Sequence, residues 1–312
     1  MRIAHISDLH AFDLTDAALW QFVSKRSLGL LNLWRKRAAG HPLHILDALC
    51  RDLNRVPLDH IVATGDLTNL SLPGELKRAR AAFDSLTLGP QAISVIPGNH
   101  DVYVWEAYLR RYFEGHFAPY CTGDDAAAEN PRFPYVRVRG EVAIIGCSTA
   151  LPSPPPLADG WLGRRQLQAI GDALTAQADR FRILLIHHPP LPQSLDLLRA
   201  LRDRGALRRL LAEVGCELVL HGHEHRDVRS TLPGPRGDIP VIGVGSGTYS
   251  DPRPERAARY NIYTVEKNAG STRFVWRSEQ RVFSPSTGEF GYLPSGSSGT
   301  SIDSPHSAPA NG

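Results

Sequence analysis

The sequence predicts an α/β fold whose strands deliver metal-seeking side chains to one rim. Three observations carry that expectation. Short apolar runs alternate with segments of helical periodicity from residue 2 to residue 220. Five of the runs end in a polar tip: Asp8-Leu9-His10, Gly65-Asp66, Gly98-Asn99-His100-Asp101, His187-His188, and His221-Gly222-His223-Glu224-His225. Open α/β sheets bind their ligands at the carboxyl ends of strands, which is where all five tips fall.

The elements follow in order. Residues 1–7 form a first strand. Residues 15–40 follow, with Leu19, Phe22, Val23, Leu30, Leu33 and Trp34 on a helical stripe and Lys25, Arg26, Arg35, Lys36 and Arg37 among them. This basic amphipathic insert, residues 18–40, has two readings: an apolar face packed on the sheet with its charges in water, or peripheral contact with an anionic membrane. A helix is expected over 44–54, a strand over 59–64, a helix opened by Pro73 and Glu75 to about residue 86, and a strand over 92–97. Residues 102–117 read as one aromatic amphipathic helix, with Tyr103, Trp105, Tyr108, Tyr112 and Phe113 expected in the core. A loop over 119–134 precedes a hairpin around Gly140 and a proline-rich connector over 151–157. Helices over 163–180 and 195–214 flank a strand over 182–186, and 217–220 is the strand before the histidine cluster. After Arg226 the pattern becomes strands and turns, expected to form a second, antiparallel sheet. Residues 1–293 are expected to be one domain, and the Ser/Gly/Pro-rich 294–312 a disordered tail.

Bulk properties exclude some functions. The chain has 312 residues, enough for a substantial core. Its net charge of +3 gives no ground for a nucleic-acid partner. Met1 leads straight into a strand, and no apolar run reaches the ~18 residues of a membrane span. The four cysteines are scattered without a CxxC pair, which reads as free thiols in a reducing compartment. A cytoplasmic location is expected, with the inner membrane face as an alternative through the insert.

The polar tips collect Asp8, His10, Asp66, Asn99, His187, His223 and His225. Residues two apart in extended chain point the same way, so Asp8 with His10, and His223 with His225, can converge. An oxygen and imidazole set without thiolate suits Mn, Fe or Zn. Seven donors exceed one tetrahedral ion and fit two ions about 3.5–4 Å apart sharing a carboxylate, a pair that acidifies a bridging water. A structural zinc site would not need an Asn or so many groups.

The series Asp8-x-His10, Gly65-Asp66, Gly98-Asn99-His100-Asp101, His187 and Gly222-His223-x-His225 resembles the calcineurin-like metallophosphoesterases, in order and without a missing block. The resemblance implies a four-layer αββα sandwich of two mixed β-sheets. It implies that Asp8, His10 and His225 hold one ion, that Asn99, His187 and His223 hold the other, and that Asp66 bridges them. It implies that His100 protonates the leaving oxygen or steadies phosphoryl charge while a bridging hydroxide attacks. His188 falls beside a ligand position. His5, His41, His44, His60, His116, His221 and His306 match none and are expected mostly to be ordinary polar or surface residues.

Leu67-Thr68-Asn69-Leu70 after Asp66 departs from the Ser/Thr protein phosphatases, which resemble Gly-Asp-x-Val-Asp-Arg-Gly there. The blocks look more like bacterial phosphodiesterases for cyclic nucleotides or glycerophosphodiesters. The expected substrate is therefore a small-molecule phosphodiester or monoester. A lipid-linked pyrophosphate of the UDP-diacylglucosamine kind stays open through the insert, and a nuclease would need a DNA-gripping domain that is not evident. A metal-binding scaffold on the same fold would show losses among the ligands or at His100, and none is lost.

Overall fold

The structure is a computed structural model that describes residues 1–14, 17, 26–27, 40–125, 132–191, 197–268, 274–292 and 302–303. Most of the 18–40 insert lies outside these residues, as does nearly all of 294–312.

Two mixed sheets face each other. In the first, β1 (Arg2–Ile6), β2 (His60–Ala63) and β3 (Ile93–Val95) run parallel. In the second, β4 (Tyr135–Arg139) forms a hairpin with β5 (Val142–Gly146), which runs parallel to β6 (Phe181–Leu185) and β7 (Leu218–His221). Alternation sorts the side chains between two apolar layers. Ile144 on β5, Ile183 and Leu185 on β6, and Leu218 and Leu220 on β7 join Ile3, Ile61 and Val95 in the layer between the sheets. Their neighbours Ala143, Ile145, Leu184, Ile186 and Val219 point outward. Those are covered by Ile170 and Leu174 of α5 (Gly163–Ala176) and Leu207 and Leu211 of α6 (Arg204–Val214). On the far side, α1 (Leu43–Arg55) and α2 (Pro73–Asp84) bury Leu46, Leu49, Leu76 and Phe83 in the main core. The strands read as unbroken apolar runs because both faces of each are buried.

The strands after Arg226 do not form a sheet of their own. β8 (Val228–Gly234) and β9 (Gly237–Gly243) extend the second sheet, with β9 parallel to β7. β10 (Arg259–Lys267) and β11 (Phe274–Ser284) extend the first, with β10 antiparallel to β1. The connection from Gly243 to Arg259 is far longer than a hairpin loop, so it carries the chain from one sheet to the other. It passes over the rim, where Gly247 N–H donates to Ser7 O at 2.9 Å.

Expectations about two helices are corrected. Residues 102–117 form two short helices, α3 (Trp105–Leu109) and α4 (Tyr112–Phe117), because Arg111 takes a left-handed φ of 53° that no helix continues through. Phe113 is buried, but Trp105 and Tyr108 are 59% and 44% exposed rather than core. In the 195–214 region the helix begins only at Arg204. Residues before it bond sideways instead: the Asp203 carboxylate accepts from the N–H groups of Leu162 and Gly163, and Arg202 pairs with Asp159. The tail supplies a two-residue strand, β13 (Ile302–Asp303), against Val275 and Trp276 of β11. Its partner edge is open there because β12 (Glu289–Tyr292) covers only residues 281–284 of β11.

Arg26, one of the insert's five cations, is 1% exposed. Its guanidinium donates to Leu70 O at 3.0 Å and Ser71 O at 2.9 Å. Cys50, Cys121, Cys147 and Cys216 are free thiols, and burial pushes those of Cys121 and Cys216 up to about 12. Among the described residues no helix is long and apolar enough to cross a membrane.

Candidate metal centre

The rim is assembled by backbone bonds between loops. Beyond β1 and β2 the two chains stay paired, with Asp8 N–H on Gly65 O and His10 N–H on Asp66 O, both at 3.0 Å. This sets Asp8 and His10 beside Asp66. Asp101, buried, ties the next loop in: its Oδ2 accepts from Gly98 N–H at 2.8 Å and its Oδ1 from Thr68 N–H at 2.9 Å. The sheets meet where His223 N–H donates to Asp8 Oδ2 at 3.2 Å.

The convergence of Asp8 with His10, and of His223 with His225, does not come from extended chain. Asp8, His10, Asp66, His223 and His225 all have positive φ, between 45° and 72°. Each non-glycine residue held there carries strain, which clusters at functional sites. Two glycines are needed for close approach. A methyl group on Gly98 would meet the Asp66 carboxylate, and one on Gly222 would meet Ser7 Oγ and Asp8 Oδ2.

Six of the seven come together, and Asn99 lies in the loop between Gly98 and His100, whose backbone N–H reaches Asp66 Oδ1. Asp8, His10, Asp66 and His225 form one group whose ligand atoms lie within 4.8 Å of one another. His187 and His223 belong to another. Asp66 Oδ2 lies between the two, 3.9 Å from His10 Nε2 and 3.5 Å from His187 Nε2. His225 Nε2 is 3.3 Å from Asp8 Oδ1 and 3.1 Å from His10 Nε2.

Hydrogen bonds to carbonyls assign the tautomers, since a carbonyl only accepts. His10 donates from Nδ1 to Thr68 O, and His187 from Nδ1 to Thr64 O at 2.7 Å, so each keeps a lone pair on Nε2. His223 donates from Nε2 to Arg199 O at 3.0 Å and keeps its lone pair on Nδ1. His187 Nε2, Asp8 Oδ1 and Asn99 Oδ1 are buried polar atoms with no hydrogen-bond partner. Such orphans are costly unless something outside the chain satisfies them. Lone pairs facing carboxylate oxygens are satisfied by cations, and N/O donors of this kind fit Mn, Fe or Zn.

The electrostatics agree. Burial, then the neighbouring imidazoles of His41 and His225, holds His10 well below its ordinary value. Burial and the rings of His188 and His187 do the same to His223. Burial works against ionising Asp66, yet His187 and His100 keep it well below the carboxylate range. Burial would also neutralise His187, but the Asp66 carboxylate raises it to about 9, so without a cation a proton sits on Nε2 and an ion binding there has to displace it. Ionised carboxylate beside a pocket that draws in positive charge is the state a metal requires.

His100 sits at the edge of this group, half-buried. Its N–H donates to Asp66 Oδ1 at 2.8 Å and its Nδ1 to Asn69 O at 2.6 Å. The ring stacks on Tyr103, with centroids 5.5 Å apart. His188 lies against His223, but both its nitrogens are engaged, Nδ1 by Thr149 Oγ1 and Nε2 by Ala158 O. Burial pushes it down to about 3, so it is a neutral prop behind His187 and His223. His5, His60 and His221 are fully buried strand residues rather than surface ones. His41 was expected outside the site and is in it, grouped with His10 and His225. Its only sequence signal is its position directly after the insert.

Two facing mixed sheets with carboxylates and imidazoles gathered at one rim define the metallophosphatase architecture. The chain belongs to the calcineurin-like phosphoesterase family, whose model matches residues 1–227. A cAMP/cGMP dual specificity phosphodiesterase of Mycobacterium tuberculosis is 31% identical over 211 residues, 66% of this chain and 60% of that protein. A glycerophosphodiester phosphodiesterase of Enterobacter lignolyticus is 25% identical over 81% of this chain and 84% of its own length. A 3',5'-cyclic adenosine monophosphate phosphodiesterase of Escherichia coli is 26% identical over 73% of this chain and 70% of its own. Among solved structures, a dimetal phosphatase from Danio rerio shares the fold, with a TM-score of 0.59, 14% identity, and coverage of 89% of this chain and 95% of that one.

Proposed function

We propose that the chain is a dinuclear metal-dependent hydrolase of a small-molecule phosphodiester. The observation that carries this reading is the place of Asp66 Oδ2, within 4 Å of lone-pair nitrogens from both histidine groups. Asp8, His10 and His225 would hold one ion, Asn99, His187 and His223 the other, and Asp66 both. When bound, two such ions supply an acidified bridging water and neutralise charge on the phosphoryl oxygens.

The protein's own groups do the rest. The Thr64, Thr68 and Arg199 carbonyls fix three rings in their ligand tautomers. Asp101 locks the Asn99-His100 loop against the Asp66 loop. His100, held by Asn69 O through Nδ1, would carry a proton to the leaving oxygen. The names of the relatives favour a cyclic nucleotide or a glycerophosphodiester as substrate. A cytoplasmic site of action belongs to the same proposal.

The test is metal analysis of the purified protein together with a screen of phosphomonoesters, phosphodiesters and pyrophosphates. Two Mn, Fe or Zn ions per chain and preferred diester hydrolysis are expected. A chain that binds no metal, or that hydrolyses only monoesters, refutes the reading.

A further inference from the structure

We propose that His41 is an additional protein ligand on the side of the centre formed by His10 and His225, supplied by the residue directly after the insert. The proposal rests on the dinuclear reading above and deepens it.

His41 is 7% exposed, with its ring centroid 4.8 Å from that of His10 and 6.1 Å from that of His225. One ring nitrogen of each of the three lies within 4.8 Å of the others. His41 does not join the group formed by Asp8, His10, Asp66 and His225, so it stands on the flank of the His10–His225 pair.

The tautomer is set by bonds on the opposite face of the ring. Thr248 Oγ1 donates its hydrogen to Leu9 O at 2.6 Å, and Ser246 Oγ donates to Asp8 O at 2.6 Å. Both hydroxyl hydrogens are therefore committed to carbonyls. The contact of 2.9 Å between His41 Nδ1 and Thr248 Oγ1 must then be a donation from Nδ1–H. That leaves the lone pair on Nε2, as carbonyl partners do for His10. A ring nitrogen bonded to an oxygen acceptor on its far side is the usual arrangement of a metal-bound histidine.

The ring is also held in place. Gly40 O accepts from Ser250 N–H at 2.7 Å, and Tyr249 packs 5.4 Å from the His41 ring. The segment Ser246–Ser250 thus clamps the end of the insert onto the loop that carries Asp8 and Leu9. The clamp seats the ring beside those of His10 and His225. A further imidazole shifts that half of the centre toward nitrogen donors, which favours Zn and Fe over Mn or Mg.

The test uses the full chain stripped of metal and titrated with Zn(II) or Co(II) against a competing chelator. Wild type is expected to bind two ions. His41→Ala is expected to weaken one site by about 10- to 100-fold or more, leave the other unchanged, and alter the Co(II) visible spectrum of the weakened site only. Thr248→Val keeps the ring and removes the acceptor of Nδ1–H, and is expected to weaken the same site by about tenfold. Melting of the metal-free variants reports folding separately. If His41→Ala does not fold, Thr248→Val decides alone. Unchanged affinity and an unchanged Co(II) spectrum in the folded variants overturn the assignment of His41 and leave the dinuclear centre standing. Failure of wild type to bind two ions overturns the dinuclear reading itself.

Discussion

Replacing His100 with Ala separates catalysis from assembly at this site. The backbone N–H of residue 100 donates to Asp66 Oδ1 at 2.8 Å, and alanine keeps that bond. Asp66 therefore holds its position, and metal content is expected to stay at the wild-type level. What is lost is the Nδ1–H bond to Asn69 O and the stack on Tyr103. Those contribute about 1 kcal/mol and about 0.5–1.5 kcal/mol to stability. A domain stable by about 5–15 kcal/mol remains folded after such a loss. Removal of a general acid costs about 10²–10⁴-fold in rate, or about 2.7–5.4 kcal/mol of barrier at 1.36 kcal/mol per tenfold. The rate effect is thus expected well beyond the structural one. The assay is steady-state hydrolysis of two diesters, one with a nitrophenol leaving group and one with an alkoxide, alongside metal analysis. The loss is expected to shrink for nitrophenol, which leaves without help from a proton. Equal losses on both substrates assign His100 to charge stabilisation instead. Loss of an ion, or an unchanged rate, refutes the reasoning.

Asp66→Asn is expected to abolish turnover nearly completely and to lower metal content, because Asp66 Oδ2 faces both histidine groups; full activity with both ions retained would place the bridge elsewhere. Arg182→Met strips Glu217 of a buried bidentate partner at 2.8 Å, and should destabilise the fold by about 3–5 kcal/mol in thermal or urea unfolding; a change under 1 kcal/mol would mean that water reaches the carboxylate. Glu75 is pushed by burial up to about 8 from an ordinary 4.5, so the folded chain keeps a proton that the unfolded chain has lost. Stability should fall as pH rises between those values, and Glu75→Gln should flatten that fall; an unaltered pH–stability curve would show that Glu75 is ionised throughout.

How much could be read from the chain depended on the range of the interaction involved. The polar tips were legible because each is local: an apolar run, a breaker, a donor. The parallel strands β1, β2, β3, β5, β6 and β7 were legible as short apolar runs bounded by turn residues. The partition of β8–β9 and β10–β11 between sheets was not legible, since it turns on where the connection after Gly243 crosses the rim. Trp105 and Tyr108 were placed in the core because their spacing suits a helix face. Arg111 breaks that helix, and the two rings end in solvent. The left-handed conformations of Asp8, His10, Asp66, His223 and His225 carry only a weak sequence mark, since Asp and His tolerate that region better than most residues while the strain itself is held by the surrounding contacts.

The insert shows why composition is a poor guide to role. Its five cations suggested a surface that meets anionic lipid, at about 1 kcal/mol for each cation near the membrane. Arg26 is withdrawn from that sum, buried with its guanidinium on Leu70 O and Ser71 O. The same short loop carries Asn69, whose carbonyl holds His100 and whose amide donates to His10 O at 2.6 Å. Directly after the insert, His41 stands against His10 itself. Arg26 inside the segment and His41 directly after it therefore both bear on the centre, one through the loop that holds His100 and one beside His10. Lys25, Arg35, Lys36 and Arg37 lie outside the described residues, and only they remain for a membrane or an amphiphilic substrate. A change that removes all five charges together would disturb the catalytic loop and any surface attraction at once. The two roles separate only when Arg26 is left in place.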